Sequence, residues 1–400
     1  MAVRTLPHAG WMDRPGLDRL AIALDADAGG ARYVGGAVRD TLLARDVSDI
    51  DIATIHTPAE VVRRLEAAGI KAVPTGIAHG TVTAISDGTV VEVTTLRHDL
   101  TTDGRHAEVA FTDDWQADAA RRDFTINALY ADLRGGTVHD YFGGLDDLAA
   151  GRVRFIGDPL RRIAEDHLRI LRFFRFLARF GDVPDADGLA ACIARANDLM
   201  ALSRERIADE LLKLLATRGA VAIVRLMVTY GILRPVLPEI DAAAVDRLTA
   251  LAATEAAAAL PADPIRRLAA LLPPAQAEAV AARLKLSNAQ RKRIAVALAI
   301  DPPQPPLALG YRIGIEGAID RALLAGDIDA VAELRDWTRP VLPLSGGALV
   351  ERGLAKGPDV ARALRAVETQ WIAERFPDAD RTAAIADAVV DQWLRAIRNR

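Results

Sequence analysis

Two aspartates one residue apart, Asp49 and Asp51, sit in the segment DIDIATI, shortly after a double glycine, Gly35-Gly36, and Arg39. Alternation over 49–55 predicts a strand with both carboxylates on one face and Ile50 and Ile52 on the other. Like charges on one face repel unless a proton or a cation lies between them. At neutral pH a divalent metal answers that need, and Mg²⁺ suits hard oxygen ligands and accompanies phosphates. Glycines ahead of a helix allow close approach of the backbone and leave N–H groups free for an anion, and Arg39 adds positive charge. Each half also has a plainer reading, as two solvated aspartates on an edge strand and as an ordinary turn. Together they are the parts needed to hold a metal beside a phosphate.

A second group lies in RRIAEDHLRILRFFRFLARF, residues 161–180. On one continuous helix at about 100° per residue, Ile163, Ile170, Leu171, Phe173, Phe174 and Leu177 share a broad side, while Arg169, Arg172 and Arg175 fall on the other. Glu165, four residues before Arg169, is its natural partner, and Asp166 stands three before it. A solvated face of paired charges is the bland account. Three aligned arginines nonetheless need more anion than Glu165 supplies, and a triphosphate or an RNA backbone would provide it. An Asp166–Arg169 pair offers acceptors and donors together, as the hydrogen-bonding edge of a base requires, with Glu165 fixing the Arg169 rotamer. RRDFTINALY adds Arg121, Arg122 and Asp123, the last also readable as a helix cap.

The elements that must position these groups follow from pattern. Tyr33 and Val34 read as the end of a short strand and Val38–Leu43 as a helix. Thr57-Pro58 caps a helix running through Ala68. HGTVTAIS and GTVVEVTTL read as a hairpin turning at Asp87-Gly88. The polar stretch from Arg97 to Ala117, with HDLTTDGRH at its centre, is expected to be a functional loop. RRDFTINALYAD reads as a helix, and TVHDYF and GRVRFIG as short closing strands. From Asp158 onward strand signals vanish, and Ala-, Leu- and Arg-rich helical patterns continue with breaks at 181–188, 231–239, 259–264 and 301–310. The fold class expected is an α+β head, a small mixed sheet with helices, followed by an all-α arm.

With 400 residues, 51 % apolar and only 5 % aromatic, the chain has room for two to four helix-rich domains. A net charge of −4 announces no global nucleic-acid binder, so any basic surface is local. The basic residues are overwhelmingly arginine, which suits phosphate and planar-edge recognition. The one cysteine, Cys192, excludes an internal disulfide and reads as a buried small residue. No zinc spacing, nucleophile elbow or Walker loop is present, and His98-Asp99 and His139-Asp140 are isolated pairs. With no signal-peptide pattern and no apolar run of transmembrane length, a soluble, cytoplasmic protein without membrane contact is expected. No obligate protein partner is evident.

GGAVRD (35–40), DIDIAT (49–54), TGIAHGTVT (75–83), EVTTLR (92–97), RRDFTINA (121–128) and EDHLRILRFFRF (165–176) occur in the order seen in class II tRNA nucleotidyltransferases. The sequence resembles these CCA-adding enzymes, relatives of bacterial poly(A) polymerases in the DNA polymerase β-like superfamily, over residues 30 to 215; RLKLSNAQRKR (283–293) is similar to a body segment. The resemblance implies a catalytic head over 1–157, a nucleotide-selecting helical neck over 158–235, and an all-α body and tail over 236–400 that binds tRNA. It implies Mg²⁺-dependent nucleotidyl transfer from CTP and ATP to a tRNA 3′ end, with two ions held by Asp49 and Asp51. Gly35, Gly36, Arg39 and Arg122 would contact the nucleotide, chiefly its phosphates, and Asp123 its ribose. Asp166 and Arg169 would read the base, supported by Glu165, with Arg172 and Arg175 lining the same pocket. Glu92 is a candidate third carboxylate. Arg283, Lys285, Arg291, Lys292 and Arg293 would face the tRNA acceptor stem and TΨC arm. Poly(A) synthesis, partial CC- or A-addition, and an RNA-binding protein without catalysis are the alternatives.

Overall fold

The computed structural model describes residues 4–103, 106–181 and 183–398. The chain divides into two compact units, Met1–Ile240 and Asp241–Arg400.

The first unit is built on a seven-stranded sheet. Its strands are β1 (Ala31–Val34), β2 (Asp51–Thr54), β3 (Lys71–Gly76), β4 (Thr81–Ser86), β5 (Thr89–Thr95), β8 (Leu129–Asp132) and β9 (Val138–Asp140). They lie in the order β3-β4-β5-β2-β1-β8-β9. β2 and β5 pair in parallel and every other neighbouring pair is antiparallel, so the sheet is mixed, as expected. A separate ribbon pairs β6 (Arg97–Asp103) with β7 (His106–Phe111). Helices α1 (Leu17–Ala23), α2 (Gly36–Leu42), α3 (Pro58–Ala67), α4 (Trp115–Ala120) and α5 (Gly144–Ala149) accompany the strands. Then come α6 (Pro159–Glu165), α7 (Leu168–Phe180), α8 (Ala186–Ala194), α9 (Arg204–Leu215) and α10 (Ala220–Thr229).

Local chemistry sets these boundaries. Gly35 takes φ +68°, which strains any residue bearing a Cβ, and so turns the chain from β1 into α2. The Thr57 side chain caps α3, and Pro58, with its fixed φ and missing N–H, fills the first helical position. Asp87 and Gly88 both have positive φ, as a tight β4–β5 hairpin demands. In α7, Phe173, Phe174 and Leu177 are buried, and the Phe173 ring stacks on Phe155 at 5.6 Å while Phe176 meets Phe124 at 5.3 Å. Burying each such side chain contributes roughly 2–3 kcal/mol, which fixes α7 against the sheet domain.

Several elements differ from expectation. Asp49 lies just outside β2, in the irregular segment leading to it. The stretch 97–117 is mostly the β6–β7 ribbon and the start of α4; its Gly104 and Arg105 lie outside the described residues. RRDFTINALYAD is no helix but a 3₁₀ turn at Thr125–Asn127 followed by β8. β8 is buried through Leu129, Tyr130 and Ala131, and a strand covered on both faces shows no alternation to read. GRVRFIG contributes only a bridge between Phe124 and Phe155. β3, which carries Pro74 at a sheet edge, has no strand pattern in the sequence to announce it.

The break between α6 and α7 matters most. Asp166 leaves the helix at φ −152°, ψ 107°, and its Oδ1 accepts the Leu168 N–H at 3.1 Å, so its side chain caps α7 instead of lying within one helix.

The second unit is all helical among its described residues: α11 (Ala242–Ala257), α12 (Pro264–Leu271), α13 (Ala277–Arg283), α14 (Asn288–Leu298), α15 (Pro306–Ile313), α16 (Ile315–Ala325), α17 (Ile328–Arg335), α18 (Gly346–Glu351), α19 (Pro358–Ala373) and α20 (Ala379–Arg398). Glu255, Arg266, Arg267 and Asp320 are buried together in ion pairs of 2.8 Å.

Candidate active site

Parallel pairing of β2 and β5 sets Asp51 directly beside Glu92, so their side chains share a sheet face. Asp49, whose Oδ2 accepts the Ser48 hydroxyl at 2.9 Å, approaches from the preceding segment. All three carboxylates line one cavity of about 710 Å³. Burial raises the Asp51 pKa above its ordinary value; Glu92 and Asp49 push the same way, and Arg122 offsets part of it. Negative charge gathered on a partly buried oxygen edge is what a bound cation relieves. Among the described residues no three His, Cys, Asp or Glu side chains close into a metal-holding group. A pair of aspartates with open positions still fits Mg²⁺, which keeps part of its shell for water and phosphate oxygens.

Asp51 also lines a second cavity, of about 420 Å³, with Gly35, Gly36, Arg39, Arg122, Asp123, Asp166, Arg169 and Arg172. Arg39 is 5 % exposed. Its guanidinium donates to Asn127 Oδ1 and to Asp40 Oδ1, the latter at 2.9 Å, and lies 4.2 Å over the Phe180 ring. Burial lowers the Arg39 pKa, Asp40 opposes that, and Arg179 and Arg175 add to it. Arg122 donates to Asp118 Oδ2 at 3.1 Å and to the Tyr130 hydroxyl at 3.1 Å. Burial disfavours its charge, but Tyr130 and Asp118 outweigh that and raise its pKa. Asp118, 1 % exposed on its side chain, also receives Arg121 Nε at 2.8 Å. Burial alone would raise its pKa; Arg122, Arg121 and Tyr130 instead hold it down at about 2.

The helical arginines are each braced by a carboxylate. Glu165 Oε2 accepts Arg169 Nη1 at 2.6 Å together with Arg162 Nη1, and Arg162 donates onward to the Arg122 carbonyl at 2.6 Å. Arg172 Nε donates to Asp123 Oδ2 at 2.7 Å. The other Asp123 oxygen accepts the Phe124 N–H at 2.9 Å and Asn127 Nδ2 at 3.0 Å, so this carboxylate is held in place where it lines the cavity. Burial opposes its ionisation, yet Arg172 and Asn127 keep its pKa low. Asp166 is held by Arg206 Nη2 from α9 at 2.9 Å. Arg175 departs from expectation: it pairs with buried Glu210 at 2.6 Å and lines a neighbouring cavity with Arg45, Arg179 and Lys213.

Sequence reasoning passes over Asp118, Asn127, Arg162, Arg206 and Glu210. Asp118 carries a readable signal, since arginines follow it three and four residues on. Arg206 and Glu210 meet their partners only through the packing of α9 on α7. Cys192 is buried, as expected, and burial pushes its thiol up.

In the second unit Arg283, Lys285 and Lys292 are exposed, and Arg291 is paired with Glu278. Arg293 is held by Asp320 at 2.7 Å, Asp263 at 3.0 Å and Glu316 at 3.1 Å, an acidic network that sets it apart from its exposed neighbour Lys292. No helix among the described residues is long and apolar enough to cross a membrane.

Residues 31–154 match the poly A polymerase head domain, and residues 185–244 match the probable RNA and SrmB-binding site of polymerase A. The human protein named CCA tRNA nucleotidyltransferase 1, mitochondrial, is 35 % identical over 358 residues, covering 85 % of this chain and 82 % of the relative. The CCA-adding enzyme of Levilactobacillus brevis is 41 % identical over 217 residues, 54 % of this chain and 52 % of that one. The structure of the Bacillus stearothermophilus CCA-adding enzyme in complex with CTP superposes with a TM-score of 0.78 at 27 % identity, covering 97 % of this chain and 100 % of the other. A Thermotoga maritima CCA-adding enzyme with bound tRNA shares the fold, with a TM-score of 0.70 at 18 % identity over 98 % of this chain and 100 % of that one. A mixed sheet carrying a glycine turn and a carboxylate edge, followed by helices, defines a nucleotidyltransferase. The chain belongs to the class II CCA-adding (tRNA nucleotidyltransferase) family.

Proposed function

We propose that this protein adds C, C and A without a template to the 3′ end of tRNA, using CTP and ATP and releasing pyrophosphate. The observation that carries this reading is the position of Asp51, which lines both the arginine-walled cavity and the carboxylate cavity. The tRNA 3′-oxygen bonds to the α-phosphorus, the α–β anhydride bond breaks in line with it, and the hydroxyl proton passes to solvent. Two Mg²⁺ ions held by Asp49 and Asp51, with Glu92 as a third carboxylate, would activate the hydroxyl and neutralise the triphosphate.

The backbone N–H of Gly36 and the guanidiniums of Arg39 and Arg122 bind the phosphates, while Gly35, whose N–H is donated to the Leu129 carbonyl at 3.1 Å, shapes the turn that lets them approach. Both arginines are oriented before substrate arrives, because Asn127, Asp40, Asp118 and Tyr130 hold them. Asp166 accepts from the exocyclic amine of cytosine or adenine, and Arg169 donates to the adjacent ring nitrogen. Uracil and guanine present a carbonyl where that amine stands and set it against the Asp166 carboxylate, leaving that acceptor unmatched. Glu165 and Arg206 keep this pair in register. Arg172, braced by Asp123, supports the same wall. In this reading residues 1–157 are the catalytic head, 158–235 the nucleotide-selecting neck and 236–400 the body and tail. Arg283, Lys285, Arg291 and Lys292 offer phosphate contacts to the acceptor and TΨC arms. The reaction belongs in a compartment that holds tRNA and free nucleotides; for the human relative that is, by name, the mitochondrion.

The test is to incubate the protein with Mg²⁺ and a tRNA lacking its last three nucleotides, with CTP and ATP separately and together, and to sequence the product ends. Addition of C, C and A followed by a stop is expected. Long A-tails from ATP alone, CC without A, or tRNA binding with no incorporation would each refute it in favour of a different activity.

A further inference from the structure

The cavity that holds Asp49, Asp51 and Glu92 is also lined by Arg14, its one cationic lining residue among those described. Nothing in the nucleotide chemistry uses Arg14. The residue lies in GWMDRPG, just after a 3₁₀ turn at Gly10–Asp13, and its position is built rather than incidental. Trp11 in that turn is buried, its indole N–H donates to Thr41 Oγ1 at 2.9 Å, and its ring meets Tyr33 edge-on at 4.8 Å. The segment is thereby fastened to β1 and α2. Arg14 is half-buried, donates through Nη2 to the Val47 carbonyl at 3.3 Å, and has no carboxylate within ion-pair distance among the described residues.

In-line displacement fixes which ligand comes to this cavity. The pyrophosphate leaves toward Gly36, Arg39 and Arg122, so the attacking hydroxyl enters from the other side of Asp51, where the cavity of Asp49, Glu92 and Arg14 lies. An RNA end brings a phosphodiester charge to a place already carrying three carboxylates. A cation is needed beside them, and a guanidinium can grip two phosphate oxygens at once. We infer that Arg14 binds the last phosphodiester of the acceptor tRNA and so positions its 3′-hydroxyl at the Asp49/Asp51/Glu92 edge. The inference rests on the proposed nucleotidyl transfer and adds an acceptor-end subsite to it.

The experiment pairs Arg14→Ala and Arg14→Gln with two acceptors: a native tRNA lacking CCA, and one ligated from a synthetic 3′ half whose last phosphodiester is a neutral methylphosphonate. Arg14→Gln keeps a neutral hydrogen-bond donor but has no charge. On native tRNA both variants are expected to raise KM for tRNA about tenfold, leave KM for CTP unchanged, and lower the salt slope of tRNA binding by about one. The wild type is expected to lose the same factor on the methylphosphonate acceptor, and the variants to lose nothing more. Losses that multiply, an Arg14→Gln protein that behaves as wild type, or a KM for CTP that rises in step would overturn the assignment, the second by showing that the charge of Arg14 is not used. A wild type that adds nothing to native tRNA would overturn the transfer reading itself.

Discussion

Replacing Asp118 by Asn keeps the side-chain volume and removes a charge that serves two guanidiniums and a phenol. The native carboxylate is held at about 2 against an ordinary value of 3.8, so its ionisation contributes roughly 2 kcal/mol to folding at neutral pH. Because the folded pKa is depressed, that stabilisation is complete above the unfolded value and is lost as pH falls toward the folded one; about half is gone at pH 3. Removing one partner of a buried pair costs about 3–5 kcal/mol, since an unpaired cation stays behind. The neutral amide still accepts from the Tyr130 hydroxyl or the Arg97 N–H, so a loss near the low end, about 3 kcal/mol, is expected. For a unit spanning Met1–Ile240 this corresponds to a fall in Tm of roughly 6–12 °C. Urea unfolding followed by far-UV circular dichroism at pH 7, 4 and 3 reads the difference directly, and KM for CTP reads the loosened Arg122. A variant within about 0.5 kcal/mol of wild type at pH 7, or a deficit that does not shrink toward pH 3, would refute the reasoning.

Asp51→Asn is expected to abolish nucleotide transfer, by roughly a thousandfold or more, while leaving tRNA binding intact. The same variant should melt no lower than wild type in metal-free buffer, because burial and Glu92 already make the Asp51 charge unfavourable above its raised pKa; a marked loss of Tm would contradict that. Arg293→Ala should lower the stability of the second unit by about 3 kcal/mol without changing the salt dependence of tRNA binding. Arg291→Ala with Lys292→Ala should do the reverse, reducing the slope of log Kd against log salt by about one per lost contact, measured by filter binding across a salt series. Glu165→Gln releases Arg169 and Arg162, so misincorporation of UMP relative to CMP should rise about tenfold in single-turnover assays and the melting temperature should fall; unchanged selectivity would remove Glu165 from base recognition.

What was legible in the sequence was local. Gly35 needs its positive φ, Asp87-Gly88 can only turn, and Glu165 stands one helical turn from Arg169; each is decided by neighbours in the chain. Asp51 could be placed because Ile50 and Ile52 are buried on the opposite side from it. β8 could not, since it is covered on both faces, and the α6–α7 break was hidden because every residue around Asp166 is a competent helix former. Asp166 takes an extended backbone and turns its carboxylate to the Leu168 N–H at the start of α7, an alternative to continuing the helix that propensity does not register. The braces of the arginines were the least visible part. Arg172 finds Asp123 and Arg175 finds Glu210 only after the sheet domain and α9 have packed against α7.

Those braces share an arrangement that bears on how the pocket works. Asp118 serves Arg121 and Arg122, and Glu165 serves Arg162 and Arg169. One buried carboxylate held between two guanidiniums orients both while cancelling only half their charge. Full pairing would have made the wall rigid but neutral, with little to attract a triphosphate. No pairing would have left a set of repelling cations free to reorient, at an entropic cost to be met each time a nucleotide bound. Sharing gives a wall that is fixed in geometry and still net positive, which is the condition under which preorganised charge stabilises a transition state. It also explains why each of these acids should be more sensitive to mutation than any single arginine, because losing one acid releases two donors together.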